Sequence, residues 1–337
     1  MSASDALNLI TDVPGLAVGN AADAGARSGV TVVLPDDRAV AGVDVRGGGP
    51  GTRETDLMRP DCMVEAVDAI CLSGGSAFGL QAADGVAAWL AEQGRGHAVG
   101  PWRIPIVPGA ILFDLASGGT PPPPGATLYR ALAIQACEQA GRRFDLGNAG
   151  AGTGARAGRL KGGLGSASAV TADGITVGAL VAANPVGAVT MPGSGTLWAW
   201  ALERHGEMGG QKPPAGPVGS EPELPDESRL GGHTTIAVVA TDAILSKAEA
   251  RRVAVMAHDG MARAIRPVHT PFDGDSVFAI STGQRPIPEP VPLSLARIGA
   301  LAADCLGRAI GRAVFEAARL GDIPCYRELY PDAFTAA

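Results

Sequence analysis

Two apolar, β-branched runs, Val30–Leu34 (VTVVL) and Ala39–Val45 (AVAGVDV), flank the turn signal Pro35-Asp36-Asp37-Arg38, and this pattern predicts a hairpin. Ala69–Leu72 reads as a short buried strand. Ser76–Glu92 then shifts to helical spacing, with Phe78, Leu80, Ala83, Val86 and Leu90 near one face, and Ala126–Gln139 predicts a second helix. Ile175–Ala183 (ITVGALVAA), Thr234–Thr241 (TTIAVVAT) and Ser276–Ser281 (SVFAIS) are apolar runs of strand length. Ser246 and Glu249 form a capping box at the head of a helix running to about Arg263. Ser294–Arg319 predicts a long Ala-rich final helix. Strands mixed with helices, in hairpins as well as crossovers, point to sheets covered by helices. We read one layered α/β domain rather than a doubly wound parallel sheet.

One stretch breaks the pattern. Arg204 to Gly232 is rich in Pro, Gly and charge and has no periodicity, so its composition is that of a mobile linker. It ends abruptly at an apolar strand that opens with Thr234-Thr235. A tether running into a strand headed by a hydroxyl residue suits a processing site. An ordinary surface loop before an ordinary strand has the same composition, and the pattern alone does not separate the two.

Composition narrows the function classes. Formal net charge is −7 and charged residues are 18%, with no basic run, so nothing favours nucleic acid or an anionic membrane as a partner. Cys62, Cys71, Cys137, Cys305 and Cys325 are an odd count without CxxC spacing, as expected of free thiols in a reducing compartment. Met1 to Pro14 lacks the pattern of a secretory signal, and no apolar run is long enough to span a bilayer. The expected location is cytoplasmic.

Candidate chemistry can be sorted by what each motif needs. Gly74-Gly75-Ser76-Ala77-Phe78-Gly79 approaches a nucleophile elbow, but Phe78 stands where a small residue is required, and a Gly-rich turn with Ser76 capping a helix explains it better. Gly152–Ala157 is a loose dinucleotide-like string without the strand, helix and acidic residue that would make it one. Arg46–Thr52 (RGGGPGT) has phosphate-loop glycines without the Gly-Lys-Ser/Thr ending. The five histidines form no metal-binding pair, and His258 and His269 read as structural. No metal or cofactor is expected. Asp273-Gly274-Asp275 stands just before a strand, where turn propensity alone accounts for it. A pair of acceptors orienting a nucleophile is the alternative.

Read together, RGGGPGTRETDL (Arg46–Leu57), CLSGGSAFGL (Cys71–Leu80), NAGAGTGA (Asn148–Ala155), KGGLGSAS (Lys161–Ser168), AANPVGAV (Ala182–Val189), TTIAVVATDA (Thr234–Ala243) and FDGDSVFA (Phe272–Ala279) resemble the self-cleaving aminopeptidase/amidase family. That family includes D-aminopeptidases, β-peptidyl aminopeptidases and nylon-oligomer hydrolases. The resemblance implies a single-domain αββα sandwich similar to the N-terminal-nucleophile hydrolases. It implies cleavage into an α chain, residues 1–233 with a linker over about 204–233, and a β chain, residues 234–337. It also implies a homotetramer of such pairs acting on short peptides or small amides.

By the same resemblance, cleavage between His233 and Thr234 exposes Thr234 as the nucleophile, and Asn184 serves the oxyanion. Asp273 and Asp275 orient the Thr234 amine or hydroxyl, with Thr235 beside it. An N-terminal Thr carries nucleophile and base in one residue, since its α-amine has an ordinary pKa of about 7.7–8.0. The family lysine falls on Arg159, with Lys161 two residues away, and an arginine cannot shuttle a proton. A family tyrosine falls on Phe113, and the residue before the nucleophile is His233 where Thr-type members often have Asn. Two other readings stay open. One is acyl transfer by a related architecture, as in ornithine acetyltransferases. The other is an uncleaved, non-catalytic binding protein.

Overall fold

The computed structural model describes residues 6–335 apart from 124, 215, 220, 223 and 225–231. In chain order the strands are β1 (Leu16–Asp23), β2 (Ser28–Pro35), β3 (Val40–Val45), β4 (Thr52–Arg53), β5 (Ile70–Ser73), β6 (His97–Val99), β7 (Trp102–Ile104), β8 (Gly109–Ile111), β9 (Arg156–Ala157), β10 (Leu160–Lys161), β11 (Gly163–Val170), β12 (Thr176–Asn184), β13 (Thr234–Ala243) and β14 (Ser276–Arg285). The helices are α1 (Ala82–Glu92), α2 (Leu128–Glu138), α3 (Lys247–Ala264), α4 (Val291–Phe315) and the short α5 (Tyr326–Leu329).

Two five-stranded sheets form the centre. The first runs β1-β2-β5-β8-β4 and the second β11-β12-β13-β14-β3. Strand β13 shows why they stack. Ile236 and Val238 point into an apolar layer shared with Val33, Leu72, Leu180 and Phe278, between the sheets. Ala237 and Val239 point the other way, into the layer formed with α3 and α4. A strand whose ten residues are all buried has apolar neighbours on both faces, as period-2 alternation demands. On the far side, Val30 and Val32 of the first sheet pack under Val86, Leu90, Leu132 and Ala136 of α1 and α2. The layers are therefore helix, sheet, sheet, helix, the αββα sandwich expected of the chain.

Helix α4 lies very close to its sheet. A Cβ at Gly165 would stand 1.9 Å from the Ala309 carbonyl oxygen, so only glycine fits there. The capping box at α3 is present, with the Ser246 hydroxyl accepting from the Glu249 N–H. Among the described residues, no helix is long and apolar enough to cross a membrane.

Two sequence expectations are corrected. The runs around Pro35–Arg38 do not form a hairpin. Strand β2 pairs with β1 and β5, whereas β3 crosses to the other sheet and pairs with β14. Both strands are apolar enough for either partner, so local pattern could not decide. The stretch from Arg204 is also not a tether at its start. Glu203 accepts the N–H groups of Met208, Gly210 and Gln211 at 2.6–2.9 Å, and the Gln211 side-chain oxygen accepts from Leu197 N–H and the Tyr326 hydroxyl. Glu207 forms a buried ion pair with Arg308 of α4. Residues 225–231 of the same stretch lie outside the described residues.

Candidate active site

The second sheet brings the start of one strand against the end of its neighbour. Because β12 and β13 are antiparallel, Asn184, the last residue of β12, lies opposite Thr234, the first of β13. Because β13 and β14 are parallel, the Asp273-Gly274-Asp275 turn that leads into β14 sits beside the same end, with His233 bridging Asp273. The functional candidates meet through strand direction rather than sequence proximity.

Thr234 is 4% exposed. Its hydroxyl donates to the carbonyl oxygen of His233, the peptide group directly before it. The Gly274 N–H donates to that same carbonyl oxygen at 3.2 Å. A Cβ at Gly274 would stand 2.8 Å from Thr234 Oγ1, so the missing side chain keeps the hydroxyl clear. This is a hydroxyl on a carbonyl that already carries a backbone donor.

Asn184 has a determined orientation. Its Oδ1 accepts the Arg156 N–H at 2.8 Å, which fixes the other amide atom as nitrogen. Nδ2 faces the carbonyl oxygens of Phe113 at 3.2 Å and Gly232 at 3.5 Å. The Phe113 ring packs against Gly232, where a Cβ would lie 2.5 Å from the ring, and Gly232 has φ +84°. Phe113 thus contributes a carbonyl and a packing face where a tyrosine would also bring a hydroxyl.

The carboxylates hold the frame around Thr234. Asp275 Oδ1 accepts the Thr235 N–H at 2.8 Å, and Oδ2 accepts from the backbone N–H of His269 at 3.1 Å and its Nδ1 at 2.8 Å. Asp273 accepts Val186 N–H at 3.0 Å and both the N–H and hydroxyl of Thr270, tying the segment after Asn184 to the turn. Burial raises the Asp273 pKa above its usual value, and the neighbouring Asp275 charge adds to this. Of the two carboxylates, Asp275 bonds a residue next to Thr234, the Thr235 N–H, whereas Asp273 holds Val186 and Thr270. Thr235 is fully buried, its hydroxyl without a hydrogen-bond partner among the described residues.

The Gly-rich Arg46–Thr52 loop is a packing device. The N–H groups of Arg46 and Gly47 donate to the Asp275 carbonyl, and that of Gly49 donates to Asp273 O at 2.8 Å. A Cβ at Gly47 would lie 2.3 Å from both Asp273 O and Asp275 N. The glycines let one loop backbone lie directly on the Asp-Gly-Asp turn.

Of the two basic residues that competed for one role, Lys161 is inside. It is fully buried and donates from Nζ to the carbonyls of Gly152 and Gly162 at 2.9 Å. Burial pulls its pKa down to about 7, opposed by the Asp114 carboxylate. Arg159 is exposed, its guanidinium hydrogen-bonding the Tyr330 hydroxyl and stacking over that ring. Sequence reasoning missed Asp114, the residue after Phe113. Burial lifts its pKa to about 6, against the N–H of Gly75, the Ser28 hydroxyl and Lys161. It also missed the contact from His269 to Asp275. Neither residue sits in a motif; only the fold brings Asp114 to the Gly75 turn and His269 to Asp275.

Ser76, the rival nucleophile, is half-buried in the first sheet's Gly74-Gly75-Ser76 turn, with its N–H on Leu112 O. Among the described residues, no group of three or more His, Cys, Asp or Glu side chains is placed to hold a metal.

Known proteins resemble this chain in sequence and in fold. An uncharacterised aminopeptidase of Mycobacterium bovis is 46% identical over 350 residues, covering 97% of this chain and 99% of its own length. A 6-aminohexanoate-oligomer endohydrolase of Kocuria sp. is 30% identical over 288 residues, 82% of this chain and 76% of that protein. Among solved structures, the β-aminopeptidase of a Burkholderia species superposes with a TM-score of 0.69 at 23% identity, over 93% of this chain and 87% of its own. The L-aminopeptidase D-Ala-esterase/amidase of Ochrobactrum anthropi, described as a variant of the Ntn hydrolase fold, superposes at 0.66 and 22% identity, over 92% and 86% of the two chains. The pattern of peptidase family S58 matches residues 8–323, and the chain belongs to that family of amide-bond hydrolases.

Proposed function

We propose that the chain cuts itself between His233 and Thr234 and then hydrolyses short peptides or peptide-like amides with Thr234 as its N-terminal nucleophile. The observation that carries this reading is the Thr234 hydroxyl lying on the His233 carbonyl, which the Gly274 N–H also holds. Attack of Oγ1 on the His233 carbonyl carbon gives a tetrahedral centre whose oxyanion receives the Gly274 N–H. Collapse breaks the C–N bond and leaves an ester. The nitrogen leaves as the free Thr234 amine, carrying the proton of the hydroxyl, and water then hydrolyses the ester to a carboxylate at His233 and the free Thr234 hydroxyl.

In the processed enzyme, Thr234 Oγ1 attacks the substrate amide while its own α-amine takes the hydroxyl proton. With Gly232 departed, Asn184 Nδ2 is released from that carbonyl and serves the oxyanion of the substrate. The proton passes to the leaving amine, and water hydrolyses the acyl-enzyme. Asp275, through Thr235 N–H, fixes where the new N-terminus lies. Lys161, with a pKa near 7, supplies a buried proton site two residues from Arg159, which cannot do so. We place this activity in the cytoplasm, in a homotetramer of αβ pairs. The relatives named for aminopeptidase and oligomer hydrolysis support a small, amine-bearing amide as substrate.

Acid quenching during turnover of an activated amino-acid ester, followed by peptide mapping, tests the nucleophile. An acyl adduct on the peptide that begins at Thr234 is expected. An adduct elsewhere, or one that persists in Thr234→Ala, overturns the reading.

A further inference from the structure

Behind Asp275 lies a ring of contacts, polar except for one edge-on pair of imidazoles, that the proposed chemistry leaves unused. His269 takes the Asp275 Oδ2 oxygen twice, through its backbone N–H at 3.1 Å and Nδ1 at 2.8 Å. Its ring stacks edge-on against His258 of α3, centroids 4.8 Å apart. His258 Nε2 meets the Asp44 carbonyl at 3.0 Å and the Asp44 carboxylate at 3.5 Å. A carbonyl only accepts, so Nε2 carries the hydrogen. Burial keeps this imidazole neutral, with its pKa pulled down to about 4. Asp44 in turn pairs with the Arg46 guanidinium at 2.7 Å, and the Arg46 N–H closes the ring on the Asp275 carbonyl at 3.0 Å. The carboxylate itself is held by two segments, Thr235 through its N–H and His269 through both of its donors.

Two features say that the histidine is there for its side chain. His269 has φ +55°, a left-handed conformation in which glycine is the default residue, so the backbone alone does not call for a side chain there. Asp275 is 1% exposed, and its Oδ1 is already committed to Thr235 N–H, so Oδ2 needs a donor from within the protein. Nδ1–H is the side-chain donor it receives.

We propose that His269 is a positioning residue for the nucleophile: its Nδ1–H fixes the plane of the Asp275 carboxylate, so that Oδ1 holds the Thr235 N–H and sets Thr234 Oγ1 against the carbonyl it attacks. This rests on the reading of Thr234 as the nucleophile. It acts first on self-cleavage, a reaction whose substrate is part of the chain.

The test is the rate of cleavage at His233–Thr234, followed by mass in freshly synthesised full-length protein, for wild type, Thr234→Ala, His269→Gly and His269→Asn. Glycine is at home at φ +55° but removes the donor. Asparagine tolerates the same φ and places an amide N–H where Nδ1 stands. His269→Gly is expected to cleave about 10–100-fold more slowly, the size of effect known for outer partners that orient metal ligands. His269→Asn is expected to return to within about threefold of wild type, a rescue that a purely space-filling role would not give. The proposal is overturned if His269→Gly cleaves at the wild-type rate. It is equally overturned if His269→Asn, unfolding at the wild-type temperature, is as slow as His269→Gly. Cleavage that persists in Thr234→Ala would instead sink the nucleophile assignment itself, so the two failures are distinct.

Discussion

The molecule contains two glycine turns, each held by buried aspartate, one in each sheet. In the first sheet, Gly74-Gly75-Ser76 leaves β5, and Asp114 accepts the Gly75 N–H at 2.7 Å. The Tyr129 ring fills the space over Gly75, where a Cβ would lie 2.0 Å from it. In the second sheet, Asp273-Gly274-Asp275 enters β14, and its groups reach His233 O, Thr235 N–H and Val186 N–H. Turn chemistry is similar in both. The difference is that a neighbouring strand begins with a hydroxyl at the second turn, and the turn is open towards it. The first turn is closed over by an aromatic ring.

Substitutions can break or sharpen that comparison. Thr234→Ala removes the hydroxyl at the second turn and is expected to stop self-cleavage and lower hydrolysis by at least about 10³-fold, read from intact mass and turnover. Asn184→Ala is expected to cost about 3–4 kcal/mol of transition-state stabilisation, seen in kcat rather than KM.

Lys161→Met probes the buried cation, and its effect is read in stability. The unfolded chain holds this proton up to the lysine's ordinary value of 10.5, the folded chain only below about 7. Between those values the unfolded state binds more protons, so stability rises with pH. Urea unfolding is expected to show wild type gaining about 2 kcal/mol on the variant from pH 7 to 9. A constant difference across that range would mean that the lysine titrates normally.

Ser76→Gly tests the first turn and carries the smallest effect. Ser76 has φ +54°, so glycine should stabilise by about 0.5–1 kcal/mol and leave cleavage within about twofold of wild type. Loss of cleavage there would make the first turn the catalytic one.

Much of this was legible in the sequence because burial leaves a periodic trace. The TTIAVVAT run and the Ser246–Glu249 capping box both stand where the residues placed them. Strand pairing left no such trace. β2 and β3 both carry apolar β-branched residues on either side of a turn signal, so a crossover looked like a hairpin. The start of the 204–232 stretch looked mobile because its anchors, Glu203 and Gln211, act through long-range hydrogen bonds that composition does not encode. The site was partly legible. Asn184, Thr234 and the Asp pair came from a resemblance spread over seven segments. Asp114 and His269 reach their partners only through the fold, and the choice between Arg159 and Lys161 needed their burial.

The account stands most directly on the bond between His233 and Thr234. Mass spectrometry of the purified full-length chain under denaturing conditions decides it. Two fragments are expected, one ending at His233 and the other beginning at Thr234. A single intact mass, in protein that is folded and hydrolyses amides, would contradict the claim that Thr234 becomes an N-terminus.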